Sequence, residues 1–183
     1  IIRKFDKKEL ITLGELATIA LYDAKDSDHI SAEETATIRN NAFSFGCSFA
    51  EVEVDIALSK VKILRLINVH DCGKLVNPRL AEAQVHGGMS MAVGYALSEE
   101  LKYNDKGRIL NDNLLDYKLS TTMDHPNFEV YFVENPEPTS PYSTKSLGEP
   151  PTCSPAPAIR NAILDATGVS VNKAPMTPHV LFP

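Results

Sequence analysis

The short stretch KSLGEPP, residues 145–151, holds an acidic side chain in a stiff backbone. Pro150 and Pro151 fix their φ angles near about −65° and have no N–H to donate, and a residue that precedes a proline favours an extended conformation. We therefore expect Glu149 to lie in a rigid, extended segment that aims its carboxylate, with Gly148 allowing a close approach from the other side. A carboxylate held in this way could act as a general base. Taken alone, the same pattern is also typical of an exposed surface turn.

Two effects act on the Glu149 carboxylate in opposite directions. Burial beside Leu147 and Cys153 would favour the neutral acid. The start of a helix at Ser154 would favour the anion, because backbone N–H groups converge at a helix N-terminus. The sequence leaves open which effect dominates.

Gln84 is the second residue whose type and spacing could serve chemistry. On a helix it shares a face with Gly87 and Gly88, and its carboxamide offers donors and an acceptor side by side. It could therefore bond the edge of a heterocyclic ligand that lies against bare backbone, and the glycine pair suggests that something packs very close there. The alternative is an exposed helix glutamine. His86 lies about 200° around the helix from Gln84, so we expect it to pack elsewhere or to be solvated.

His70 and Cys72 could be read as a pair of metal ligands, because residues two apart face the same way on a strand. A structural zinc site needs four ligands, and no third or fourth candidate has matching spacing. The segment Asp71-Cys72-Gly73 is better read as a turn that ends a strand. We assign no metal ligand, and the chain contains no dinucleotide-binding glycine motif, phosphate-binding loop or nucleophile elbow.

The composition narrows the class of partner. The chain has 183 residues and a formal net charge of −6, and without a basic cluster we expect no nucleic-acid partner. No apolar run approaches the roughly 20 residues that a membrane span needs, so we expect no membrane partner either. The cysteines Cys47, Cys72 and Cys153 are too scattered for a disulfide framework, which favours a cytoplasmic location.

Two apolar runs predict a β-hairpin. The first, residues 43–56, ends in an alternation of apolar and acidic side chains that places Ile56 on the buried face. After a turn at 58–60, residues 61–70 are apolar on both faces and predict a more central strand. Residues 128–134 alternate again and predict a further strand.

Capping signals predict where two helices begin. Thr12 and Glu15 form a capping box at the start of a helix over 12–22. Asn77, followed by a proline, is typical of an N-cap, and it begins a helix of roughly 20 residues that ends near Lys102.

The last third of the chain predicts a long loop and another helix. Prolines are dense over 135–157 and indicate an extended functional loop. Ser154 and the proline after it begin a helix that Gly168 ends. The predicted class is α+β: antiparallel hairpin strands, two main helices and a long proline-rich loop, in a single unit over 1–183.

The order of these motifs resembles the C-terminal part of the molybdenum-binding subunit of the xanthine dehydrogenase family, in its bacterial form. The resemblance runs from about Phe43 to Pro178 and is carried by the stretches EVEVDI, LRLINVHDCGKLVNP, AEAQVHGGMSMAVGYALSEE, NLLDYK and KSLGEPP. The combination of D-x-G-x-x-x-N-P, Q-V-x-G-G and a downstream G-E-P-P is specific.

The resemblance implies a molybdenum hydroxylase with a molybdenum–pyranopterin cofactor in the parent enzyme. Glu149 matches the family's catalytic glutamate, the general base toward the metal-bound hydroxyl that attacks a purine or a related N-heterocycle with water-derived oxygen. Gln84 matches the glutamine that hydrogen-bonds the pterin, and Gly148 belongs to the same cofactor-binding loop. Electrons would leave through iron–sulfur clusters and FAD on partner subunits.

Some residues depart from the family's pattern. Ala83 stands where glycine is frequent, His86 where glutamate is frequent, and Ser120 where proline is frequent. These departures leave aldehydes and nicotinate open as alternative substrates. The upstream half of the family's subunit is absent, so we expect a C-terminal fragment that binds no cofactor and is inactive by itself, with a non-catalytic isolated domain as the other alternative.

Overall fold

The chain divides into two compact units, Ile1–Thr37 and Ile38–Pro183, and each is described by itself. The prediction of one α+β unit over 1–183 therefore stays a prediction. The computed structural model describes residues 5, 7, 8, 10–22, 31–35, 37 and 40–182.

The first unit contains helix α1, Leu13–Tyr22. Its start is a reciprocal capping box. The N–H of Glu15 donates to Oγ1 of Thr12 at 3.1 Å, and the N–H of Thr12 donates to Oε2 of Glu15 at 2.9 Å. The N–H and the hydroxyl of Thr12 both donate to the carboxylate of Glu15 and lower its pKa, because they favour its charged form. The predicted helix is confirmed, whereas much of the polar segment after Tyr22 lies outside the described residues.

The second unit is built on a three-stranded sheet in the order β1, β2, β3. Strands β1 (Phe45–Asp55) and β2 (Lys60–Asp71) form the predicted antiparallel hairpin, with β2 in the centre. Strand β3 (Phe128–Phe132) pairs with β2 in parallel. The orientation of β3 was not predicted, and it is parallel because the chain crosses over through a long helix before it returns to the sheet, which permits parallel pairing.

The end of β1 differs from the predicted alternation. Val52 and Val54 face the core as expected, but the strand ends at Asp55, and Ile56 is 61% exposed. The hairpin turn begins at this point, where the side chain of Asp55 accepts from the N–H of Leu58 at 3.0 Å. Ile56 therefore belongs to the turn, and it does not continue the alternation of buried and exposed side chains along β1.

Helix α2, Pro78–Leu97, crosses one face of the sheet. Asn77 is its N-cap, as predicted, and accepts from the N–H of Leu80 at 3.1 Å. The helix ends before the predicted Lys102. Both Ser98 and the next residue return their N–H groups to the carbonyl of Gly94 at 2.8 Å, which closes the last turn.

The long proline-rich loop contains more helix than predicted. It includes a short 3₁₀ turn at Pro141–Ser143 and a one-turn helix, α3, at Pro150–Cys153. Helix α4, Pro155–Thr167, follows directly and ends at Gly168, whose φ of 73° is left-handed as a glycine stop requires. Helix α5, Pro178–Leu181, is the last element.

The core lies between the sheet and helices α2 and α4. Asn68 and His70 are buried within this layer, with 0% and 1% exposure. In the described stretches no helix is long and apolar enough to cross a bilayer. The largest fully buried apolar side chains of this core are Leu66, Met89, Ile159, Ile163, Leu181, Val85 and Val93.

An ion pair joins the end of β2 to the proline-rich loop. The Nζ of Lys145 lies 2.6 Å from Oδ2 of Asp71, and their side chains are only 4% and 11% exposed. Burial alone raises the pKa of Asp71, but hydrogen bonds from Lys145 and from the N–H of Gly73 outweigh it and hold that pKa below its ordinary value. The loop is fixed here a second time, because the N–H of Lys145 donates to the carbonyl of Cys72 at 2.7 Å.

The Asp71→Asn variant should test this pair. A folded-state pKa below the unfolded value means that the carboxylate stabilises the fold above the unfolded pKa of about 3.9, and that the contribution is lost as pH falls through the lower folded value. At pH 7 the variant should lose about 3 kcal/mol of unfolding free energy, because Lys145 becomes a buried charge without its partner. Urea denaturation should show that the difference in unfolding free energy between wild type and variant shrinks as the pH falls below about 4. Asp105→Asn, at an exposed turn, is the control. A difference between wild type and Asp71→Asn that does not depend on pH would contradict the stabilising role of the Asp71 carboxylate.

Gly88 is the point of closest approach between α2 and α3. A Cβ placed on Gly88 would lie 2.5 Å from the Cβ of Pro151, whereas a Cβ on Gly87 would meet no atom within 4 Å. Packing against Pro151 therefore requires a glycine at position 88, whereas no contact requires one at position 87.

Gly88→Ala should destabilise the protein by about 1–3 kcal/mol, because the added methyl group overpacks a contact between two backbones. Gly87→Ala is the matched control and should stabilise the same helix by up to about 1 kcal/mol. Chemical denaturation of both variants measures the difference. Equal unfolding free energies for the two would show that the contact with Pro151 gives way without cost.

Candidate active site

The three site residues predicted from the sequence lie side by side. Gln84, on α2, donates its Nε2 to the carbonyl oxygen of Gly148 at 2.8 Å across 64 residues of sequence. Glu149 follows immediately as the residue before α3. All three are exposed, so they form one surface at the junction of α2 and the proline-rich loop.

Glu149 does not have the extended backbone predicted for a residue before proline. Its φ of −99° and ψ of −27° lie in the right-handed helical region. This conformation is disfavoured before a proline, but here the carbonyl of Glu149 accepts from both the N–H and the hydroxyl of Thr152, at 2.9 and 2.8 Å. The carboxylate makes no capping bond to the helix. Within the described part of the chain it has no ion-pair partner either, so it points outward as an available acceptor.

The turn that carries Glu149 is short of backbone donors. Pro155 has no N–H for the carbonyl of Pro151, and that carbonyl accepts instead from Nδ2 of Asn68 at 3.2 Å. The carbonyl of Thr152 accepts from the phenol of Tyr95. Sequence reasoning missed both donors. The available signal was a polar residue, Asn68, inside the apolar run of β2.

Ser154 has a different role from the one predicted. It is the residue before α4, but its φ and ψ are helical and its side chain makes no capping bond. Its hydroxyl lies 2.7 Å from Oγ of Ser48 on β1. Ser154 therefore ties the start of α4 to the sheet.

Two glycines near Gln84, one a helical turn further on and one that accepts its hydrogen bond, have open space where a side chain would lie. Cβ atoms placed on Gly87 or Gly148 would meet no atom within 4 Å. The close packing expected over both helix glycines occurs only at Gly88, and it is made by Pro151, a residue of the same chain. An exposed carboxamide beside two unobstructed glycines suits a flat heterocycle that is bonded at its edge and lies against backbone.

His70, Cys72 and His86 have contacts and burial of their own. His70 is buried, which lowers its pKa, and neither ring nitrogen has a partner. Burial raises the pKa of the Cys72 thiol. The ring of His86 lies 6.0 Å from that of Phe128 on β3, so it faces the sheet and not the Gln84 side of α2. Among the residues that the structure describes, no three His, Cys, Asp or Glu side chains are placed to hold a metal ion.

A cavity of about 640 Å³ opens elsewhere in the second unit, near the C-terminal end of α2. Its walls come from the start of β2, from Val93 and Leu97 of α2, and from residues 118–124. None of the three site residues lines it. The candidate site is an open surface and not part of this cavity.

Comparison with known proteins places the chain among cofactor-binding domains. The profile of the molybdopterin cofactor-binding domain family matches residues 3–126. The xanthine dehydrogenase molybdenum-binding subunit of Escherichia coli is 49% identical over 177 residues, which are 96% of this chain and 24% of that protein. The aldehyde oxidoreductase molybdenum-binding subunit of Escherichia coli is 34% identical over 174 residues, 91% of this chain and 24% of that protein.

Solved structures agree with these sequence relatives. Quinoline 2-oxidoreductase from Pseudomonas putida 86 superposes with a TM-score of 0.68 at 33% identity, over 72% of this chain and 17% of that one. The aldehyde oxidoreductase from Desulfovibrio gigas gives 0.70 at 30% identity, over 75% and 15% of the two chains. The chain thus spans about a quarter of the length of the sequence relatives named above. By its profile match and its fold, the chain belongs to the molybdopterin cofactor-binding domain family.

Proposed function

We propose that this chain is part of the molybdenum-binding subunit of a molybdenum hydroxylase, that the enzyme hydroxylates a purine or a related N-heterocycle, and that Glu149 is its general base. The observation that carries the proposal is the bond from Gln84 to the carbonyl of Gly148, the residue directly before Glu149. Within the described residues the carboxylate of Glu149 has no ion-pair partner, which supports a role as proton acceptor. The 49% identity to a subunit named for xanthine dehydrogenase supports the choice of substrate class.

The residues present fit a pyranopterin. Nε2 of Gln84 is used by Gly148, but within the described residues the side-chain oxygen has no partner and remains available to a pterin donor. Gly87 and Gly148 have no atom within 4 Å of the position that a Cβ would occupy, so their backbone is open to a ligand. These three residues would hold the cofactor's edge, and the bound molybdenum centre would supply the two-electron oxidation of substrate.

Glu149 acts as the proton acceptor in this proposal. Its carboxylate removes a proton from the water-derived oxygen nucleophile as that oxygen attacks an electron-poor carbon of the substrate, which is the role of a positioned general base. The helical turn of α3 holds the backbone of Glu149 in place, so only the side-chain torsions remain to be fixed on the way to the reactive geometry.

The rest of the enzyme completes the site. The surface around Glu149 is open, so the remaining part of the subunit would cover it and exclude water, and the 183-residue chain alone would be inactive. Iron–sulfur and FAD partner subunits would accept the electrons. No part of the proposal requires nucleic acid or a membrane, and we expect the enzyme in the cytoplasm.

An aldehyde is the second candidate substrate. The observation in its favour is the 34% identity to a subunit named for aldehyde oxidoreductase, over 91% of this chain. Turnover of the complete enzyme with xanthine, hypoxanthine, nicotinate and a panel of aldehydes separates the two classes. Turnover of aldehydes alone would remove the purine assignment.

In the complete enzyme, Glu149→Gln should lower turnover by at least about 10²-fold, because a general base typically contributes that much or more. Molybdenum content should be unchanged, since the amide keeps the shape of the side chain. Glu53→Gln, on the exposed face of β1, is the matched control and should be fully active. Retained turnover in Glu149→Gln would exclude this residue from the mechanism.

Gln84→Ala should reduce the molybdenum bound per protein in the complete enzyme, because both the proposed pterin bond and the bond to Gly148 disappear. Metal analysis and absorbance of the released pterin measure the loss. Glu82→Ala, exposed on the same helix and about 200° away around its axis, should retain the cofactor. Equal occupancy in the two variants would show that Gln84 is only a surface residue.

A further inference from the structure

We infer that Tyr95 and Asn68 are positioning residues for Glu149, acting through the backbone of α3. The inference rests on the proposed role of Glu149 as general base. Neither side chain needs to touch substrate or cofactor. Each donates a hydrogen bond to a backbone carbonyl within three residues of Glu149.

The need for side-chain donors follows from the sequence of the turn. In an α-helix the carbonyl of residue i accepts from the N–H of residue i+4. Pro155 and Pro157 have no N–H, so the carbonyls of Pro151 and Cys153 cannot be satisfied by continuing the helix. Prolines therefore stiffen the chain around Glu149 and at the same time remove the bonds that would hold α3 to α4.

Asn68 supplies one replacement bond from the sheet. It is fully buried, at 0% exposure, and its Nδ2 donates to the carbonyl of Pro151 across 83 residues of sequence. A buried polar group is costly unless it is bonded, and this bond satisfies the amide nitrogen of Asn68, while its Oδ1 has no partner within the described residues. Asn68 thus lies in the buried part of β2, where its side chain donates to the carbonyl of Pro151, which has no donor from the helix.

Tyr95 supplies a further bond from α2, to the neighbouring carbonyl of Thr152, whose i+4 residue is Ala156 and not a proline. Its phenol donates to the carbonyl of Thr152, 57 residues along the chain. Burial raises the pKa of Tyr95, so the phenol keeps its proton and remains a donor at neutral pH. Thr152 in turn donates both its N–H and its hydroxyl to the carbonyl of Glu149. A continuous set of bonds therefore leads from α2 to the backbone of Glu149.

Tyr95→Phe in the complete enzyme tests the inference, because it removes only the hydroxyl and keeps the ring. Hydrogen exchange of the Thr152 amide should become about fivefold faster, the effect of losing one hydrogen bond. Turnover should fall by a similar factor, with KM within about twofold of wild type, because the general base is less well placed in the transition state. Tyr131→Phe, whose phenol bonds Glu129 on the outer face of the sheet, is the matched control and should change neither quantity.

A double variant separates positioning from general damage. In the Glu149→Gln background, Tyr95→Phe should cause no further loss of residual turnover, because residues that act through one group are not additive. Unchanged exchange at Thr152, unchanged turnover, or an equal loss of turnover in both backgrounds would each overturn the inference. Full activity of Glu149→Gln alone would instead overturn the proposed function. The exchange measurement would still test whether the bond from Tyr95 holds the backbone of α3.

Discussion

The packing of Pro151 directly onto the backbone of Gly88 is the contact on which the candidate site depends. Because Gly88 has no side chain, α3 lies against α2 at a distance that any other residue would prevent. At that distance Gln84 reaches the carbonyl of Gly148 and Tyr95 reaches the carbonyl of Thr152. A larger spacing between the two helices would break both bonds together, since each acceptor belongs to the same short turn.

The segment that carries Glu149 is anchored on both sides of it. Upstream, Lys145 pairs with Asp71 and bonds the carbonyl of Cys72. Downstream, Asn68 holds the carbonyl of Pro151. Between these anchors the prolines restrict the backbone. The carboxylate of Glu149 is therefore exposed, but it is attached to a backbone that is held in place. The proposed general base requires this combination, because its position must be fixed while it stays accessible.

Local signals predicted the boundaries of elements well. The capping box at Thr12, the N-cap at Asn77 and the stop at Gly168 each depend on atoms within a few residues, so their chemistry can be read from the sequence. The family resemblance put Glu149 and Gln84 in one site, and the bond from Gln84 to the residue before Glu149 agrees with that arrangement, while their roles stay predictions.

Features that depend on tertiary contacts were not predictable. The parallel pairing of β3 is decided by the crossover, and the helical backbone of Glu149 is decided by bonds that outweigh the preference before proline. Tyr95 and Asn68 could not be identified either. Their acceptors are backbone carbonyls, which every residue has, and only the fold shows which of these carbonyls a side chain from a distant part of the sequence reaches.

The wide separation in sequence of the groups that meet at α3 has a consequence for the order of folding. The partners of the carbonyls of Gly148, Pro151 and Thr152 lie 64, 83 and 57 residues away in sequence. Bringing them together requires the closure of long loops, which is entropically costly and slow. The β1–β2 hairpin has only a tight turn to close and can form within about 1–10 μs. A newly synthesised chain therefore acquires its hairpin long before it holds a carboxylate in a fixed place, and any cofactor that relies on that place must be captured late.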